Sequence, residues 1–361
     1  MKGSVIISFM NTKMIKIKEQ DFSASEFHEA AEILKNGGLV AFPTETVYGL
    51  GGDGLKEDAA KKIYEAKGRP SDNPLIIHIS DMEMLDKLVK EVPLKGIKLA
   101  KAFWPGPLTM IMNKSDAVPY GTTGGLNTVA IRMPSHPIAL ELIRTSRVCI
   151  AAPSANTSGR PSPTKASHVK DDLDGKIDMI IDGGNVGIGI ESTIVDLTGD
   201  IPVILRPGYI TKKMLEEVVG PVEVDKAILN RQMDPNLVPK APGMKYKHYA
   251  PKGDLTIFEG NAQAVIREIN KRVDAALADG KTAGVIASSE TKDAYKDGII
   301  KIIGTRGKEV TIAQSLYSIL REFDDLGVDV IYSESFSSDD LGQAIMNRLL
   351  KAAGYQVVTC V

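Results

Sequence analysis

The chain has 361 residues, 43% hydrophobic and 25% charged, an ordinary balance for a globular protein and too long for a single ordinary core, so two domains are expected. Its formal net charge of -2 excludes a bulk basic footprint of the kind nucleic-acid binders carry and leaves room only for a local patch. Two cysteines, Cys149 and Cys360, exclude a zinc knuckle and a disulfide framework, and the five histidines show no metal-ligand spacing, so no protein-held metal is expected.

In chain order, Met1 to Met10 briefly imitates a signal peptide but ends in Asn11-Thr12-Lys13 without a cleavage pattern, and reads as a loose leader. Residues 14–219 read as one α/β domain. Phe22 to Asn36 has helical apolar spacing and stops at Gly37-Gly38. A buried strand, Leu39 to Phe42, follows. Asp58 to Lys67 is a helix that Asp58 can cap and Gly68 ends. Leu75 to Ile79, Leu108 to Met112 and Thr128 to Arg132 are strands, and Ser135 to Ser146 is a helix with Pro137 near its start. Val148 to Ala152 is a strand, and Met179 to Ile181, Thr193 to Asp196 and Val203 to Arg206 close the domain. Short connections between the later strands predict a mixed sheet.

Residues 220–252 change character. Pro221, Pro235, Pro239, Pro242 and Pro251 predict a stiff, extended linker. Its end, Lys240 to Pro251, mixes cations, aromatics and Gly243 in a way unusual for a spacer. Residues 253–361 then alternate strand and helix: strands near 255–258, 282–287, 299–303 and 328–332, helices near 261–277, 312–326 and 341–353. That pattern predicts a smaller Rossmann-like α/β domain on a parallel sheet. No apolar stretch is long enough to span a membrane, and a cytoplasmic protein is expected.

Two segments concentrate the chemistry. Lys67 and Arg69 flank a helix-ending glycine, and two cations on one turn repel unless an anion sits between them. Arginine suits a bidentate phosphate contact and lysine a point charge. The bland alternative is favourable placement at a helix C-terminus. Ser154 and Asn156, in Pro153-Ser154-Ala155-Asn156-Thr157-Ser158-Gly159, follow a buried strand, where α/β sheets expose ligand sites. Their side chains can donate to phosphate or carbonyl oxygens, although the same residues also make ordinary turns. Gly183 to Gly189 lacks the lysine and hydroxyl of a Walker motif and the Rossmann glycine spacing, so any ATP site here is not a P-loop.

These two segments match the lysine-x-arginine and serine-x-asparagine elements of the YrdC-like family. Phe42-Pro43-Thr44-Glu45-Thr46-Val47-Tyr48-Gly49-Leu50 matches its opening loop, and Glu191 to Asp196 and Leu205-Arg206-Pro207-Gly208 its last strands. The resemblance is ordered and covers roughly the first three-fifths of the chain. Length and tail resemble the long, two-domain branch. It implies an N-terminal twisted mixed sheet with helices and a smaller C-terminal Rossmann-like domain. It also implies a nucleotidyltransferase that joins L-threonine, bicarbonate and ATP into threonylcarbamoyl-adenylate and pyrophosphate for tRNA modification. ATP would be a substrate accompanied by Mg2+, with no tightly bound cofactor, and a downstream tRNA-modifying transferase complex would take the product. A weak tRNA contact is a further implied partner.

The resemblance assigns catalysis to Lys67, Arg69, Ser154 and Asn156. It assigns ATP to Arg69, Asn73, Thr128, Ser154, Ser162, Arg206 and Tyr249, and threonine to Thr46, His78, Arg132, Ala152 and Ser192. Read by themselves, Thr46 is a plain β-former and His78 a half-buried strand histidine. The linker, with Lys245, Lys247, His248 and Tyr249 and a hinge at Gly243, is the expected lid. An RNA-binding YrdC-like module without catalysis is the competing reading, disfavoured by the charge and the missing aromatic-basic platform. A carbamoyl-transfer module of the hydrogenase-maturation type needs zinc fingers that two distant cysteines cannot build. A purely structural second domain remains open.

Overall fold

Two twisted sheets, one mixed and one parallel, organise the chain. The computed structural model describes residues 11–229, 239–242, 244 and 248–361. The leader at 1–10, residues 230–238 of the linker and four residues of the expected lid, Gly243, Lys245, Tyr246 and Lys247, lie outside the described residues.

Strand β1 (Lys13–Lys16) leads through a 3-10 turn, Ala24–Phe27, into helix α1 (His28–Lys35), whose buried stripe is Ala30, Ala31 and Leu34. Strands β2 (Val40–Phe42) and β3 (Gly49–Asp53) pair antiparallel and hold the Thr44–Thr46 loop between them. The sequence reading lacks β3, because Gly-Leu-Gly-Gly-Asp is poor strand material. Packing demands those glycines: a Cβ at Gly51 would stand 2.7 Å from Ile150 Cγ2 and 2.8 Å from Phe42 Cε1. Helix α2 (Glu57–Lys67) is capped by Lys56, so Asp58 lies in its first turn and not at the cap. Gly68 ends it in the left-handed region (φ 61), with Arg69 N bonded back to Tyr64 O at 2.9 Å.

There follow β4 (Ile76–His78), α3 (Leu94–Phe103), β5 (Leu108–Asn113), α4 (Tyr120–Thr123) and β6 (Thr128–Arg132). Next come α5 (Pro137–Ser146), β7 (Ile150–Ala151), α6 (Ala166–Leu173), β8 (Met179–Asp182), β9 (Thr193–Asp196) and β10 (Val203–Arg206). Helix α7 (Lys212–Val219) leads to β11 (Glu223–Val224) and α8 (Lys226–Leu229). The eleven strands form one mixed sheet, ordered β1-β8-β2-β3-β7-β4-β6-β5-β9-β10-β11. The linker expectation needs correction at its start: β11 extends this sheet by pairing with β10, so regular structure continues past residue 220.

The second sheet is β12 (Asp254–Gly260), β13 (Ala283–Ser288), β14 (Ile299–Gly304), β15 (Val330–Glu334) and β16 (Val357–Cys360). Helices α9 (Ala262–Ala278), α10 (Glu309–Asp325) and α11 (Leu341–Ala352) alternate with the strands, and Asn261 Oδ1 caps α9. All its pairings are parallel, in the order β14-β13-β15-β12-β16. The two domains share apolar packing. Val47 and Ile190 of the first belong to one buried cluster with Ile312, Leu316 and Ile345 of the second. Gly189 permits the approach, since a Cβ there would stand 2.5 Å from Ala313 O. Both cysteines are free. Among the described residues, no helix is long and apolar enough to cross a membrane.

Candidate active site

Strand β4 is the spine of the site. It runs parallel to β6, with Ile76 opposite Ala130 and His78 opposite Arg132, and antiparallel to β7, which delivers Ala152 N to Ile76 O at 2.8 Å. Beyond β7 the chain turns at Ser154, which bridges to Gly49.

Lys67 reaches under this turn. Its Nζ donates to Ser154 O at 2.5 Å and to Asn156 O, and the residue is only 2% exposed. The lysine is therefore no free cation on a helix end: it is buried and ties α2 to the serine-asparagine turn. An ammonium has three donors, so one remains for a ligand. Burial, then the neighbouring Arg69, holds its pKa well below the ordinary lysine value. Asn156 is also committed. Its Nδ2 donates to Thr157 O and Arg160 O, each at 2.9 Å, and its Oδ1 accepts from Ser154 Oγ at 2.6 Å. It shapes the turn, where the sequence reading gave it donors for a ligand.

Arg69 folds back over the start of β4, donating to Asn73 O at 3.2 Å and Pro74 O at 3.1 Å. Arg69 and Asn73 thus lie at the start of β4, and Thr128 begins the neighbouring β6. Asn73 is 1% exposed and its Oδ1 has no hydrogen-bond partner among the described residues. Across the sheet, Arg206 at the end of β10 donates to Ser192 O (3.1 Å), Ser192 Oγ (3.2 Å) and Pro242 O (3.4 Å). Burial first, with mutual repulsion from Arg206 among the causes, brings the Arg69 pKa down to about 10. Among the described residues, Lys67, Arg69 and Arg206 have no carboxylate within ion-pair distance. Three cations, Lys67 and Arg206 buried and Arg69 half-buried, meet only carbonyls and a hydroxyl among the described residues, an arrangement suited to an anion.

The far end of the spine carries the second pole. Arg132 is 4% exposed, and its Nη1 donates to Thr46 Oγ1 at 2.9 Å. Glu45 Oε1 lies 2.8 Å from its Nη2, yet neither Nη2 nor Nε has an aligned hydrogen-bond acceptor among the described residues. The guanidinium thus keeps donors for an incoming carboxylate. The sequence reading did not find Glu45 as its resident counter-ion. His78 Nδ1 lies 3.1 Å from Ile76 O, and with that nitrogen donating, Nε2 is the acceptor of a neutral ring. Ser192 Oγ, 2.7 Å from Thr109 Oγ1, closes this pole.

Described residues of the linker border the site. Ala241 packs on the apolar floor of Ile76, Ala130, Ile111, Ile194 and Leu205, with Met244 beside it. Tyr249 is buried at φ 65 and stacks on Tyr317 at 5.2 Å, and Ala250 N donates to Gly159 O at 2.9 Å. The remaining cavity is about 60 Å³, bounded by Thr46, Arg69, Arg132, Ser154, Arg206 and Tyr249. That is a few waters' worth, whereas ligand sites run to roughly 300–1,000 Å³. Asn73, Thr128 and Ser162 do not line it. Ser162, expected at the nucleotide, is fully buried and donates to Glu191 Oε1 at 2.5 Å.

Helices of the second domain buttress the site from behind. Arg321 on α10 pairs with Asp172 at 2.9 Å and donates to Pro161 O, while Asp172 accepts from Thr157 N at 3.0 Å. Tyr317 and Arg348 hold Glu191 in the same way. Support that comes from another domain leaves no local signal in the motif sequence.

Comparison with known proteins agrees with this geometry. A family model covering Sua5, YciO and YrdC proteins, described as "Telomere recombination", matches residues 32–208, and one described as "Threonylcarbamoyl-AMP synthase, C-terminal domain" matches residues 210–354. The Bacillus subtilis threonylcarbamoyl-AMP synthase is 52% identical over 331 residues, 91% of this chain and 93% of the relative. The Pyrococcus abyssi threonylcarbamoyl-AMP synthase is 50% identical over 329 residues, 91% of this chain and 94% of the relative. The chain belongs to the threonylcarbamoyl-AMP synthase family. Its two-domain form also matches a solved member, Pyrococcus abyssi Sua5 complexed with L-threonine, with TM-score 0.90, 47% identity and coverage of 97% of this chain and 100% of that one.

This family member should be acid-labile. Burial, then Arg132, pulls the His78 pKa down to about 3, and burial, then Arg321, does the same for His168. Below the ordinary value of 6.5 the unfolded chain takes up these protons and the folded chain does not. Stability therefore falls as pH drops from 6.5 towards 3, by about 1.4 kcal/mol per pH unit for each ring once fully engaged. Chemical denaturation at about pH 7 and about pH 5 checks this. An unchanged unfolding free energy would contradict it, and His78→Asn should remove about one proton's slope.

Proposed function

We propose that the chain is an L-threonylcarbamoyladenylate synthase, a nucleotidyltransferase that converts L-threonine, bicarbonate and ATP into threonylcarbamoyl-AMP and pyrophosphate. The observation that carries the reading is the pairing of two cationic poles beside strand β4. Among the described residues, Lys67, Arg69 and Arg206 lack carboxylate partners, and Arg132, paired with Glu45, keeps two donors without an aligned hydrogen-bond acceptor. The first fits a triphosphate and the second an amino-acid carboxylate.

In this reading Arg132 takes the threonine carboxylate, with Thr46, Ser192 and the backbone at Ala152 around it. Neutral His78 accepts from the substrate amine or hydroxyl. The free amine adds to carbon dioxide and loses a proton to give a carbamate; starting from bicarbonate, water is the leaving group. A carbamate oxygen then attacks the α-phosphorus, the bond to the bridging oxygen breaks, and pyrophosphate leaves. Lys67 and Arg69 stabilise the charge that develops there, and Arg206 and Ser154 hold the phosphate chain. Asn73 and Thr128 receive the nucleotide beyond Arg69. Asn156 keeps the turn in shape, and Ser162 acts through Glu191.

Among the described residues there is no group of three or more His, Cys, Asp or Glu side chains placed to hold a metal ion. Magnesium enters as part of the MgATP substrate, held by phosphate oxygens. Two free cysteines fit a reducing compartment such as the cytoplasm. The labile mixed anhydride suits direct delivery to a downstream tRNA-modifying transferase complex.

The linker serves as the lid. ATP must displace it to enter a cavity this small, and its return excludes water. Tyr249→Ala should therefore uncouple the reaction, with more pyrophosphate released per threonylcarbamoyl product formed; unchanged stoichiometry would make the linker a spacer. The function itself is tested by pyrophosphate release with ATP, bicarbonate and each amino acid in turn. Release that requires threonine and bicarbonate supports it, and equal release with alanine or serine would refute it.

A further inference from the structure

Arg348 sits on α11 of the second domain, outside every motif the activity draws on, yet it is fully buried against the site wall. Its Nε donates to Glu191 Oε2 at 3.1 Å, its Nη2 to Glu191 O at 3.4 Å and its Nη1 to Pro207 O. Tyr317 donates to the same carboxylate at 2.9 Å and Ser162 at 2.5 Å. Glu191 is the residue before Ser192, whose O and Oγ both receive Arg206. Two buried guanidiniums thus stand around one carboxylate, and the geometry gives it to Arg348. Burial pushes the Glu191 carboxyl up, and Arg348, then Arg206, more than reverse this, holding it at about 2. The carboxylate stays charged; Arg206 is the second guanidinium whose charge acts on it, and the Lys351 ammonium also feels it.

We propose that Arg348 is a positioning residue for nucleotide binding: by occupying the Glu191 carboxylate, it keeps the Arg206 charge available to the triphosphate. The proposal rests on the reading of Arg206 as a phosphate ligand. It also gives the second domain a defined part in the reaction, because docking of α11 then sets the affinity of the anion site. A buried carboxylate that loses its partner does not stay unpaired when a cation is within reach. Removing Arg348 should accordingly cancel one of the three cations that the anion site depends on, and leave the Arg132 pole untouched.

The test uses the full chain with MgATP binding by calorimetry, steady-state kinetics and denaturation. Arg348→Met should raise the MgATP Kd and the KM for ATP by roughly tenfold or more, with kcat and the threonine KM changed by less than about threefold. Adding Glu191→Gln removes the competing charge and should restore MgATP affinity to within about threefold of wild type. A packing role alone gives no such rescue. Wild-type MgATP affinity in Arg348→Met, or a folded double variant that binds no more tightly than the single, would overturn the proposal. If Arg348→Met does not fold, Glu191→Gln alone decides: it should bind MgATP at least as tightly as wild type, and weaker binding overturns the proposal. A wild-type protein that fails to bind MgATP would instead remove the functional reading on which the proposal stands.

Discussion

Alanine at Arg69 should lower threonine-dependent pyrophosphate release by roughly a hundredfold or more while the protein unfolds like wild type. Alanine at Lys67 should cost at least as much activity and also destabilise the fold. Removing one preorganised charge from such a site costs about 3–4 kcal/mol of transition-state stabilisation. Arg69 is half-buried and donates only to Asn73 O and Pro74 O, so its loss leaves the helix end and β4 intact. Lys67 differs because its amine holds the carbonyls of Ser154 and Asn156 from beneath. Its removal strands both, at about 1–3 kcal/mol for each buried group left unsatisfied. Steady-state kinetics paired with denaturant titration checks the contrast. Wild-type turnover in either variant removes the proposed charge role, and equal stability of the two variants removes the structural role assigned to Lys67.

Lysine at Arg132 should raise the threonine KM by roughly a hundredfold with MgATP affinity unchanged. The substitution keeps a cation beside Glu45, so the buried carboxylate stays paired, but it loses the planar fork that meets a carboxylate with two parallel bonds. A loss of about 3 kcal/mol is expected for a desolvated, charge-assisted pair of this kind. The effect belongs in KM because the carboxylate sits away from the reacting amine and is bound equally before and during the reaction. An unchanged threonine KM in Arg132→Lys would place the amino-acid pole elsewhere.

Much of this organisation was legible in the sequence, and the failures have physical causes. The strands at 108–112, 128–132, 193–196 and 203–206 carry apolar, β-branched runs, and the Gly68 helix stop needs a residue at ease at positive φ. Both are local signals, and both appear where expected. Strand β3 was not legible, because its glycines are selected by the closeness of Phe42 and Ile150, a tertiary fact. The site divides the same way. The Lys67, Arg69, Ser154 and Arg206 motifs could be read as cationic and hydroxyl groups at element ends. That Lys67 and Asn156 would turn inward to build the turn could not be read from spacing. Nor could Glu45, Asp172, Arg321 or Arg348 be found, since each matters through a partner far away in the chain.

The most direct measurement follows two labels through one turnover. The protein is incubated with MgATP labelled at the α-phosphate, 13C-bicarbonate and L-threonine, and the nucleotide product is isolated and weighed by mass spectrometry. Formation of threonylcarbamoyl-AMP requires that the α-phosphate label and the carbonyl 13C appear in one molecule, with pyrophosphate released in equal amount. Release of ADP and phosphate, or AMP without incorporated carbon in the presence of all three substrates, would contradict it.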